Sequence, residues 1–561
     1  MNIRIEQLNP IIGDFEGNKS LILASLNKAE SDNIDLLILP EMVVTGYPVQ
    51  DLLENESFRE RCYQVNEEIV TSTRNTALLF GTITPNRQQF GRKMYNSAIL
   101  AEAGRQTGIT HKTLLPTYDV FDDLRYFESN REFYCLELKG VQLGVTICED
   151  IWYNQNEVQY HTYQTDPAQR LKEAGADIII NISASPYTKT KHENRKAMLR
   201  GHAKNLGLPV LYANQTGAHN EIVFDGDSLA VTSGAVVIAR TEPFQPSFTD
   251  VVWDDQKKEI FPGKTTSAQS YPENKMERQF KALICGLRDY IRKTGITNKI
   301  VLGLSGGIDS ALVCAIAVEA LGSENVTAIT MPTTFSSKGS VEDSRKQANN
   351  FGIDLFTLPV QTVYDEVNKV LHPVFEGTEF DVAEENIQSR IRGTLLMAYA
   401  NKHNYFLLAT GNKSEYAVGY ATLYGDMNGA LAVIGDLYKT EVYGLSRWLN
   451  EEYFKKEMIP NSVLTKPPSA ELRPDQKDTD SLPPYEILDE ILHRYIELQE
   501  HRNQITSGGF SADVVDKVLT LVDYSEYKRW QAAPILKLSS KSFGSGRRWP
   551  LVQKWTSDYK K

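Results

Sequence analysis

The chain has 561 residues, of which 41% are hydrophobic and 24% charged, and its formal net charge is −12. This length exceeds what one hydrophobic core usually organises, so we expect two large domains. The acidic balance argues against a general nucleic-acid or anionic-membrane binder, although local basic pockets for phosphate remain compatible with it.

Cysteine and histidine usage indicates a reducing compartment and no zinc site. The five cysteines are odd in number and widely spaced, which does not suit a disulfide framework. No CxxC or HExxH pattern occurs, and the nine histidines are scattered. Since no run approaches the ~18 to 20 apolar residues of a membrane span, we predict a cytoplasmic protein without membrane or nucleic-acid partners.

The first half of the chain, residues 1–253, alternates short β-rich runs with amphipathic helical ones. NIRIEQL is followed by the helix-like NKSLILASLNKAE and then by DLLILPE. The runs SAILAEAGRQTGITHKTLL and FYCLELKGVQLGVTIC each pair two strands directly. We therefore expect sheets that are covered by helices and have a mixed or antiparallel component.

Residues 254–275 lose that periodicity and gain charge, Pro, Gly and Ser, which is typical of a connector. Beyond it, residues 276–561 begin with a helical run, the buried strand NKIVLGL and the helix SALVCAIAVEALG. This order predicts an α/β nucleotide-binding domain. The polar, proline-rich stretch from Lys466 to Pro484 is predicted to be a mobile surface loop with a possible functional role.

Three residues of the first half occupy similar positions at predicted strand ends: Glu41, Lys112 and Cys148. A thiol there can attack a carbonyl if a carboxylate takes its proton and a cation stabilises the developing negative charge. The alternative is structural, because a buried cysteine is usually an inert small hydrophobe and a charged residue at a strand end is usually solvated.

The blocks PEMVVTGYPVQDLL, HKTLLPTYDVFDDLRYF and GVTICEDIW resemble signature blocks of the nitrilase superfamily, specifically its glutamine amidohydrolase branch. The resemblance implies an α-β-β-α sandwich with Glu41 as general base, Lys112 as stabiliser of the tetrahedral intermediate and Cys148 as nucleophile. It also implies that Tyr118 lines a glutamine pocket and that Asp123, where many relatives have glutamate, orients Lys112.

A fourth block, NISASPYTKTK, resembles the segment that holds the α-amino and α-carboxylate groups of glutamine in this family. It offers Ser185 and Lys191 for glutamine binding. Ser185 could equally be a turn residue before Pro186.

The stretch GLSGGIDS in the second half is predicted to bind an anion. Its two adjacent glycines permit backbone conformations that turn N–H groups toward one ligand, and its serines add hydroxyl donors at a helix N-terminus. A tight turn is the alternative. The stretch resembles the pyrophosphate loop of the ATP pyrophosphatase superfamily, which implies a Rossmann-like, doubly wound parallel sheet, Mg²⁺ at Asp309, and ATP contacts from these residues: Gly303, Leu304, Ser305, Gly306, Gly307, Ile308, Asp309 and Ser310.

Cleavage of ATP to AMP and pyrophosphate suits the activation of a carboxylate as an acyl adenylate, which a nitrogen nucleophile can then attack. The first half offers a source of ammonia. Because free ammonia is mostly protonated in neutral water, we expect an internal passage for it.

Downstream blocks resemble, in order, segments of NAD synthetases: AEENIQSRIRG, LLATGNKSEYAVGYATLYGDMNGALAVIGDLYKTEV, KPPSAEL and YKRWQAAP. The whole chain therefore resembles the family of glutamine-dependent NAD synthetases, which amidate the nicotinate carboxylate of deamido-NAD. The family implies a homo-oligomer built on a synthetase dimer. It further implies ATP contacts from Thr410 and Ser469, a second Mg²⁺ ligand in Glu415, and deamido-NAD contacts from Asn386, Arg390, Glu415, Asp426, Lys439 and Lys528.

Three alternatives stay open at this stage. Asn386 and Arg390 could simply occupy the exposed face of an amphipathic helix. The chain could be another glutamine-fed ATP pyrophosphatase that acts on a different carboxylate or carbonyl-bearing nucleotide. It could also be a sensor or binding scaffold without turnover, although the joint presence of Glu41, Lys112, Cys148 and Asp309 argues against this.

Overall fold

The structure is a computed structural model that describes residues 1–152, 163–265 and 271–555. The chain divides into two compact units, Met1–Glu273 and Asn274–Lys561. Among the described residues, no helix combines the length and the apolar character needed to cross a membrane.

The first unit is built from two large sheets and flanking helices. Its strands are β1 (Asn2–Gln7), β2 (Leu36–Ile38), β3 (Ala77–Pro85), β4 (Met94–Glu102), β5 (Arg105–His111), β6 (Leu136–Leu138), β7 (Val141–Ile147), β8 (Ile178–Ser183), β9 (Val210–Asn214), β10 (Thr216–His219), β11 (Ile222–Asp225), β12 (Leu229–Val231), β13 (Val237–Arg240), β14 (Ser247–Asp254) and β15 (Glu259–Pro262). Its helices are α1 (Phe15–Ser31), α2 (Glu56–Thr71), α3 (Asp123–Tyr126), α4 (Pro167–Glu173) and α5 (Lys191–Leu206).

Both sheets are mixed, as predicted. One has the order β15-β14-β1-β2-β3-β4-β5 and the other β13-β12-β9-β8-β7-β6, while β10 and β11 form a separate ribbon. The central strands β1, β2 and β3 are parallel, and so are β7, β8 and β9. The predicted hairpins are β4 with β5 and β6 with β7, and both pairs are antiparallel.

The first unit is the expected α-β-β-α sandwich, and the alternation of β2 illustrates why. Leu36 and Ile38 pack between the two sheets against apolar residues of β7 and β8, whereas Leu37 packs on the opposite face with residues of α1 and α2. A third apolar cluster joins α4 and α5 to the outer face of the second sheet. The central strands are therefore buried on both faces, which explains their nearly continuous apolar character.

Part of the predicted connector 254–275 belongs to the first sheet. Its residues Glu259–Pro262 form β15, which pairs antiparallel with β14, and Ile260 is buried opposite Trp253. The expectation of a linker failed over these residues because a single inward-facing apolar side chain among lysines and prolines leaves no readable periodicity.

The second unit contains one parallel sheet and many helices. Its strands are β16 (Ile300–Gly303), β17 (Val326–Thr330), β18 (Asp354–Thr357), β19 (Phe406–Ala409) and β20 (Leu431–Ala432). Its helices are α6 (Lys275–Thr294), α7 (Ile308–Leu321), α8 (Lys338–Phe351), α9 (Gln361–Phe375), α10 (Val382–His403), α11 (Lys413–Val418), α12 (Lys439–Trp448), α13 (Asn461–Thr465), α14 (Tyr485–Leu492), α15 (Arg502–Ser507), α16 (Ala512–Tyr524) and α17 (Glu526–Arg529).

Short helical segments of other types complete the described structure. The 3-10 turns are Gln50–Glu54, Cys148–Ile151, Ser323–Asn325 and Asp478–Asp480, and the π-helical segments are Leu449–Tyr453 and His493–Glu497.

The strand order β18-β17-β16-β19-β20, with every neighbouring pair parallel, is that of a doubly wound sheet. The switch point lies between the neighbouring strands β16 and β19. From β16 the chain adds β17 and β18 on one side, and it then returns to add β19 and β20 on the other side. Helices α9 and α10 pack on one face around Val301 and Ile329, while α6, α7 and α12 pack together. Ligands of such sheets bind beyond the carboxyl ends of the strands at the switch point, and the loop after β16 lies there.

Candidate active sites

Glu41 lies three residues beyond the end of β2 and is completely buried. Its Oε1 accepts hydrogen bonds from Lys112 Nζ at 2.9 Å and Asn96 Nδ2 at 2.7 Å, and its Oε2 accepts one from the Ala184 N–H at 2.8 Å. A carboxylate has about four acceptor positions, so these donors fix its orientation and leave one position on Oε2. Gly81 permits the packing, because a Cβ there would lie 2.5 Å from the Glu41 Cα.

Lys112 directly follows β5 and lies between two carboxylates. Its Nζ donates to Glu41 and, at 2.6 Å, to Asp123 Oδ2, while Asp123 Oδ1 accepts a hydrogen bond from the Tyr47 hydroxyl at 3.1 Å. Burial opposes the charge of Lys112, but Asp123 and Glu41 outweigh this effect and hold the pKa of Lys112 well above its usual value. Lys112 therefore stays cationic in the interior, supported by Asp123.

Cys148 follows β7 and begins a 3-10 turn with φ of +46°, a left-handed conformation that non-glycine residues rarely adopt. The turn is anchored by Asp150. One oxygen of Asp150 accepts the N–H groups of Thr113 and Leu114 at 2.9 and 2.7 Å, and the other accepts the Ile147 N–H at 3.0 Å. The turn is thereby fastened to the segment that follows β5.

The surroundings of Cys148 favour the neutral thiol over the thiolate. Cys148 is 4% exposed. Burial raises its pKa, the negative charge of Glu41 adds to this effect, and Lys112 opposes it. A thiol in such a setting attacks a carbonyl only if a base removes its proton. The acceptor position that remains on Glu41 Oε2 suits that role.

A second pair of charged residues, Glu149 and Lys191, lies near Cys148. Tyr118 and Tyr163 donate their hydroxyls to the Glu149 carboxylate at 3.0 and 2.9 Å. Lys191, whose charge interacts with that of Glu149, has its Nζ 5.2 Å from the ring centroid of Trp152, and burial lowers its pKa. The predicted residues Tyr118 and Lys191 thus both interact with Glu149, which was not predicted as a site residue. One anion and one cation near a nucleophile complement the two charges of a free amino acid.

Ser185 is held by its backbone, while its side-chain hydroxyl is available for a ligand. Its backbone N–H donates to Asn214 Oδ1 at 2.8 Å, as a structural turn residue would. Its Oγ is buried and has no hydrogen-bond partner among the described residues. Such a hydroxyl can serve a ligand without breaking an existing contact.

The glycine-rich loop after β16 turns on Gly306, which has φ of +77° and whose Cβ, if present, would lie 2.3 Å from the Ser340 carbonyl oxygen. Ser305 Oγ accepts the Gly307 N–H at 3.2 Å and lies 3.2 Å from Ser310 Oγ. Ser310 Oγ also donates to the Gly307 carbonyl at 3.1 Å. The loop is therefore preformed, and it leads directly into the N-terminus of α7.

Two predicted carboxylates converge beside this loop. Lys439 Nζ donates to Asp309 Oδ2 at 2.5 Å and to Glu415 Oε1 at 3.2 Å, and Asn412 Nδ2 donates to Asp309 Oδ1 at 2.8 Å. Burial, helped by the Asp309 charge and opposed by Lys439, raises the pKa of Glu415 to about 8. Among the described residues, no group of three or more His, Cys, Asp and Glu side chains has a metal-binding arrangement.

The remaining predicted deamido-NAD residues gather around the segment after α11. Asn386 Oδ1 accepts the Thr422 hydroxyl at 2.7 Å, and Asp426 Oδ1 accepts the Thr422 N–H at 2.6 Å. Arg390 donates to the Leu423 carbonyl at 3.3 Å. Lys528 donates to two backbone carbonyls, each at 2.7 Å, and its charge interacts with that of Asp426.

A cavity of about 300 Å³ lies at the carboxyl ends of the parallel strands. Four of the residues predicted to bind ATP or deamido-NAD do not line this cavity: Gly306, Asn386, Arg390 and Lys528. The predicted residues that line it are Gly303, Leu304, Ser305, Gly307, Ile308, Asp309, Ser310, Thr410, Glu415, Asp426, Lys439 and Ser469.

The stretch from Lys466 to Pro484 forms part of the cavity wall. Ser469 Oγ donates to the Gln476 carbonyl at 2.6 Å, and Lys466 Nζ donates to Ser340 Oγ at 2.9 Å. Glu471 accepts hydrogen bonds from the hydroxyls of Ser337 and Ser340 at the start of α8. This proline-rich surface segment is thus brought to the nucleotide loop by side-chain contacts.

Sequence reasoning missed several residues of both sites. In the first unit these are Tyr47, Asn96, Glu149 and Asp150. The available signal was the acidic pair Glu149 and Asp150 directly after Cys148. In the second unit, Arg392 lines the cavity and donates to the Met331 carbonyl at 3.1 Å. The available signal was the second arginine of SRIRG, two positions after Arg390.

Two family models match the chain, one over most of each unit. The family model described as carbon-nitrogen hydrolase matches residues 2–249, and the model described as NAD synthase matches residues 279–532. A glutamine-dependent NAD(+) synthetase from Synechocystis sp. is 46% identical over 558 residues, which cover 98% of this chain and 98% of that protein. One from Thermotoga maritima is 40% identical over 586 residues, with 99% of each chain covered.

A solved structure shows the same agreement across the chain. It is a glutamine-dependent NAD+ synthetase from Acinetobacter baumannii in complex with ADP, with a TM-score of 0.78, 34% identity, and 99% of both chains covered. Similarity at these identities over nearly the entire length places the sequence with these enzymes, and the chain therefore belongs to the glutamine-dependent NAD(+) synthetase family.

Proposed function

We propose that the chain hydrolyses glutamine and uses the released ammonia to convert deamido-NAD to NAD in an ATP-dependent reaction. The observation that carries this proposal is that one chain of this family holds both a buried Cys-Lys-Glu site and a preformed pyrophosphate-type loop. We assign glutaminase activity to residues 1–253 and synthetase activity to residues 276–561, on either side of the segment 254–275.

In the glutaminase reaction, Glu41 removes the proton of Cys148 as the sulfur attacks the amide carbon of glutamine. Lys112 stabilises the oxyanion that develops. Collapse of the tetrahedral intermediate breaks the C–N bond, and Glu41 returns the proton to the leaving ammonia. Water then hydrolyses the γ-glutamyl thioester, which yields glutamate and restores the thiol. Asp123 keeps Lys112 in place throughout, because it holds the ammonium at 2.6 Å.

Recognition of glutamine follows from the charges beside Cys148. Glu149 is the anion available for the α-ammonium group, and Lys191 is the cation available for the α-carboxylate. Tyr118 and the free hydroxyl of Ser185 supply neutral hydrogen bonds. An amide without these two charges would lose both ion pairs, so we expect selectivity for the free amino acid.

In the synthetase reaction, an oxygen of the nicotinate carboxylate attacks the α-phosphate of ATP and displaces pyrophosphate. Ammonia then attacks the resulting acyl adenylate and releases AMP. The loop of residues 303–310 binds the departing pyrophosphate, and Lys439 offsets its charge. The Acinetobacter baumannii relative was solved in complex with ADP, which supports a nucleotide substrate. Thr410 and Ser469 line the same cavity, and the residues around Thr422 are assigned to deamido-NAD.

Asp309 and Glu415 are the residues that would hold Mg²⁺. Their carboxylates already share one cation, Lys439, so they converge as two hard oxygen donors. Mg²⁺ is usually bound by one or two carboxylates together with substrate phosphates, and the donor set fits this pattern. When bound, the ion would offset phosphate charge.

The second unit also carries a surface suited to a second copy of the chain. Val363, Val370 and Val374 recur at positions i, i+7 and i+11 of α9 and are 43%, 77% and 73% exposed. Phe380 and Val382, which follow α9 in the chain, are 53% and 63% exposed. Exposed apolar patches of this kind mark interfaces, so we assign the synthetase dimer to this surface.

A product assay tests the function. The chain is incubated with deamido-NAD, ATP and Mg²⁺, and with either glutamine or ammonium. We expect NAD, AMP and pyrophosphate in equal amounts with both nitrogen sources, and glutamate only with glutamine. Amidation of a different carboxylate in place of deamido-NAD would favour another ATP pyrophosphatase activity. Absence of both pyrophosphate and glutamate would instead favour a binding protein.

A further inference from the structure

Asp489 is a buried carboxylate on α14 that joins the N-termini of two other helices. Its Oδ1 accepts the Ser414 hydroxyl at 2.5 Å. Its Oδ2 accepts both the backbone N–H and the hydroxyl of Thr440, each at 2.8 Å. Ser414 lies in the first turn of α11 and Thr440 in the first turn of α12. No residue of α14 was identified as functional from the sequence, and Asp489 does not line the nucleotide cavity.

The two residues that Asp489 joins are the chain neighbours of the charged pair in the cavity. Glu415 follows Ser414, and Lys439 precedes Thr440. The bridge is closed by a further hydrogen bond, since the Lys439 N–H donates to Ser414 Oγ at 2.9 Å. Asp489, which lies outside the cavity lining, therefore fixes the separation of the two segments that present Glu415 and Lys439 to the nucleotide.

The neighbouring residue on α11 is anchored in a different way. Lys413 is completely buried and forms ion pairs with Asp436 and Glu497, each at 2.9 Å. By contrast, no cationic side chain among the described residues pairs with Asp489, which is 5% exposed and has the Glu441 charge nearby. A buried carboxylate without a counterion is costly. Stability alone would thus favour a neutral side chain at position 489.

We propose that Asp489 is a positioning residue for adenylation, which sets the distance between Glu415 and Lys439 by tying the first turns of α11 and α12 together. This inference rests on the proposed function. It differs from a structural role because the predicted loss is in the rate of the chemical step and not in the stability of the fold.

The test is the variant Asp489→Asn in the full chain, measured by exchange of labelled pyrophosphate into ATP with deamido-NAD and no nitrogen source. An asparagine keeps the size of the side chain but can accept hydrogen bonds on only one side, so one of the two first turns is released. Changes in residues that orient metal ligands, as Asp489 would orient Glu415, typically cost 10–100-fold in metal affinity or activity. We expect kcat for exchange to fall about 10-fold or more, with KM for ATP nearly unchanged and the thermal midpoint still above the assay temperature.

Two further variants sharpen the result. Ser414→Ala should cost less rate in the Asp489→Asn background than in the unchanged chain, because the two residues share one bridge. Asp523→Asn is the matched control, since Asp523 is another buried aspartate of the second unit and accepts the Tyr495 hydroxyl at 2.9 Å. It should keep the exchange rate.

The inference is overturned if Asp489→Asn retains the rate within about twofold, or if its rate falls only at temperatures where the variant has begun to unfold. An equal loss in Asp523→Asn would also overturn it. Exchange by the unchanged chain tests the proposed function separately, because the role of Asp489 is judged from the ratio of variant to unchanged chain.

Discussion

Single side chains in the first unit create the chemistry by burial and pairing. Glu41 has three donors and one open acceptor position, Lys112 is held between two carboxylates, and Cys148 is kept as a thiol by desolvation. None of these properties belongs to the residue type alone. A base that is fixed in orientation, next to a thiol of raised pKa, ties proton removal to attack on the substrate.

We predict that Cys148→Ala abolishes NAD synthesis from glutamine and leaves synthesis from ammonium intact. The variant lacks the sulfur that forms the thioester, while the adenylation site lies in the other unit. Both rates are measured by NAD formation. Cys62→Ala is the matched control, because Cys62 is buried in the same unit and contacts Thr82 and Asn66. Equal loss of both activities in Cys148→Ala would contradict the assignment.

His111, which directly precedes Lys112, predicts a pH dependence of stability. Its Nδ1 lies 2.7 Å from Ser97 Oγ and its ring stacks on Tyr95 at 4.1 Å, and burial lowers its pKa from 6.5 to about 4. The folded state keeps the ring neutral while the unfolded chain binds a proton near pH 6.5. The stability that the protein has with a neutral His111 is therefore fully present above pH 6.5, and it is lost as the pH falls from 6.5 toward 4.

The measurement is the urea midpoint of the first unfolding transition, followed by tryptophan fluorescence, for the unchanged chain and His111→Gln. Between pH 6.5 and 4, the unchanged chain should lose on the order of 1–3 kcal/mol more than the variant, which cannot titrate at this position. From pH 7 to 8 the difference between the two should be constant. A difference that does not vary across the acidic window would exclude the effect.

At the scale of elements, the nucleotide site depends on where strands end and helices begin. The loop after β16, the first turn of α11 and the first turn of α12 meet at the switch point of the sheet, although they are far apart in the chain. Gly306 lets the loop approach α8, because the backbone carbonyl of Ser340 occupies the space that a side chain at position 306 would need. Backbone geometry thus determines which side chains reach the cavity.

We predict that Gly306→Ala lowers synthesis with glutamine and with ammonium alike. The left-handed backbone strains an alanine by about 1–2 kcal/mol, and its Cβ collides with Ser340, so the loop must shift. Glutamate release by the first unit should be unaffected. Gly339→Ala is the control, because a Cβ there meets only Ser337 Oγ at 3.9 Å. Normal pyrophosphate release by Gly306→Ala would show that the loop conformation is unimportant.

At the scale of the whole molecule, the chain joins two units to which we assign the halves of one reaction, and we propose that it assembles through an exposed apolar surface. The exposed valines of α9 form a stripe on this helix, and Tyr364 of the same helix packs in the apolar cluster beside the sheet. Water contact with such a stripe is unfavourable, and a second copy of the chain would remove it.

We predict that the double variant Val370→Asp and Val374→Asp is smaller in solution than the unchanged chain. Two carboxylates buried in an apolar interface without counterions would cost several kcal/mol. Mass by light scattering after size exclusion measures the change. Val236→Asp introduces the same substitution at a residue of the first unit that is 59% exposed, and it should keep the full assembly. An unchanged mass for the double variant would contradict this interface.

The amino-acid sequence by itself determined the two α/β units, the mixed sheets of the first and the strand-loop-helix start of the second. These features depend on local periodicity and on short motifs such as SGGIDS. The tertiary structure alone decided the contacts of Tyr47, Asn96 and Glu149, the strand β15 and the bridge of Asp489. The physical reason is that hydrogen bonds and burial join residues distant along the chain, and such pairings leave no period or motif from which to read them.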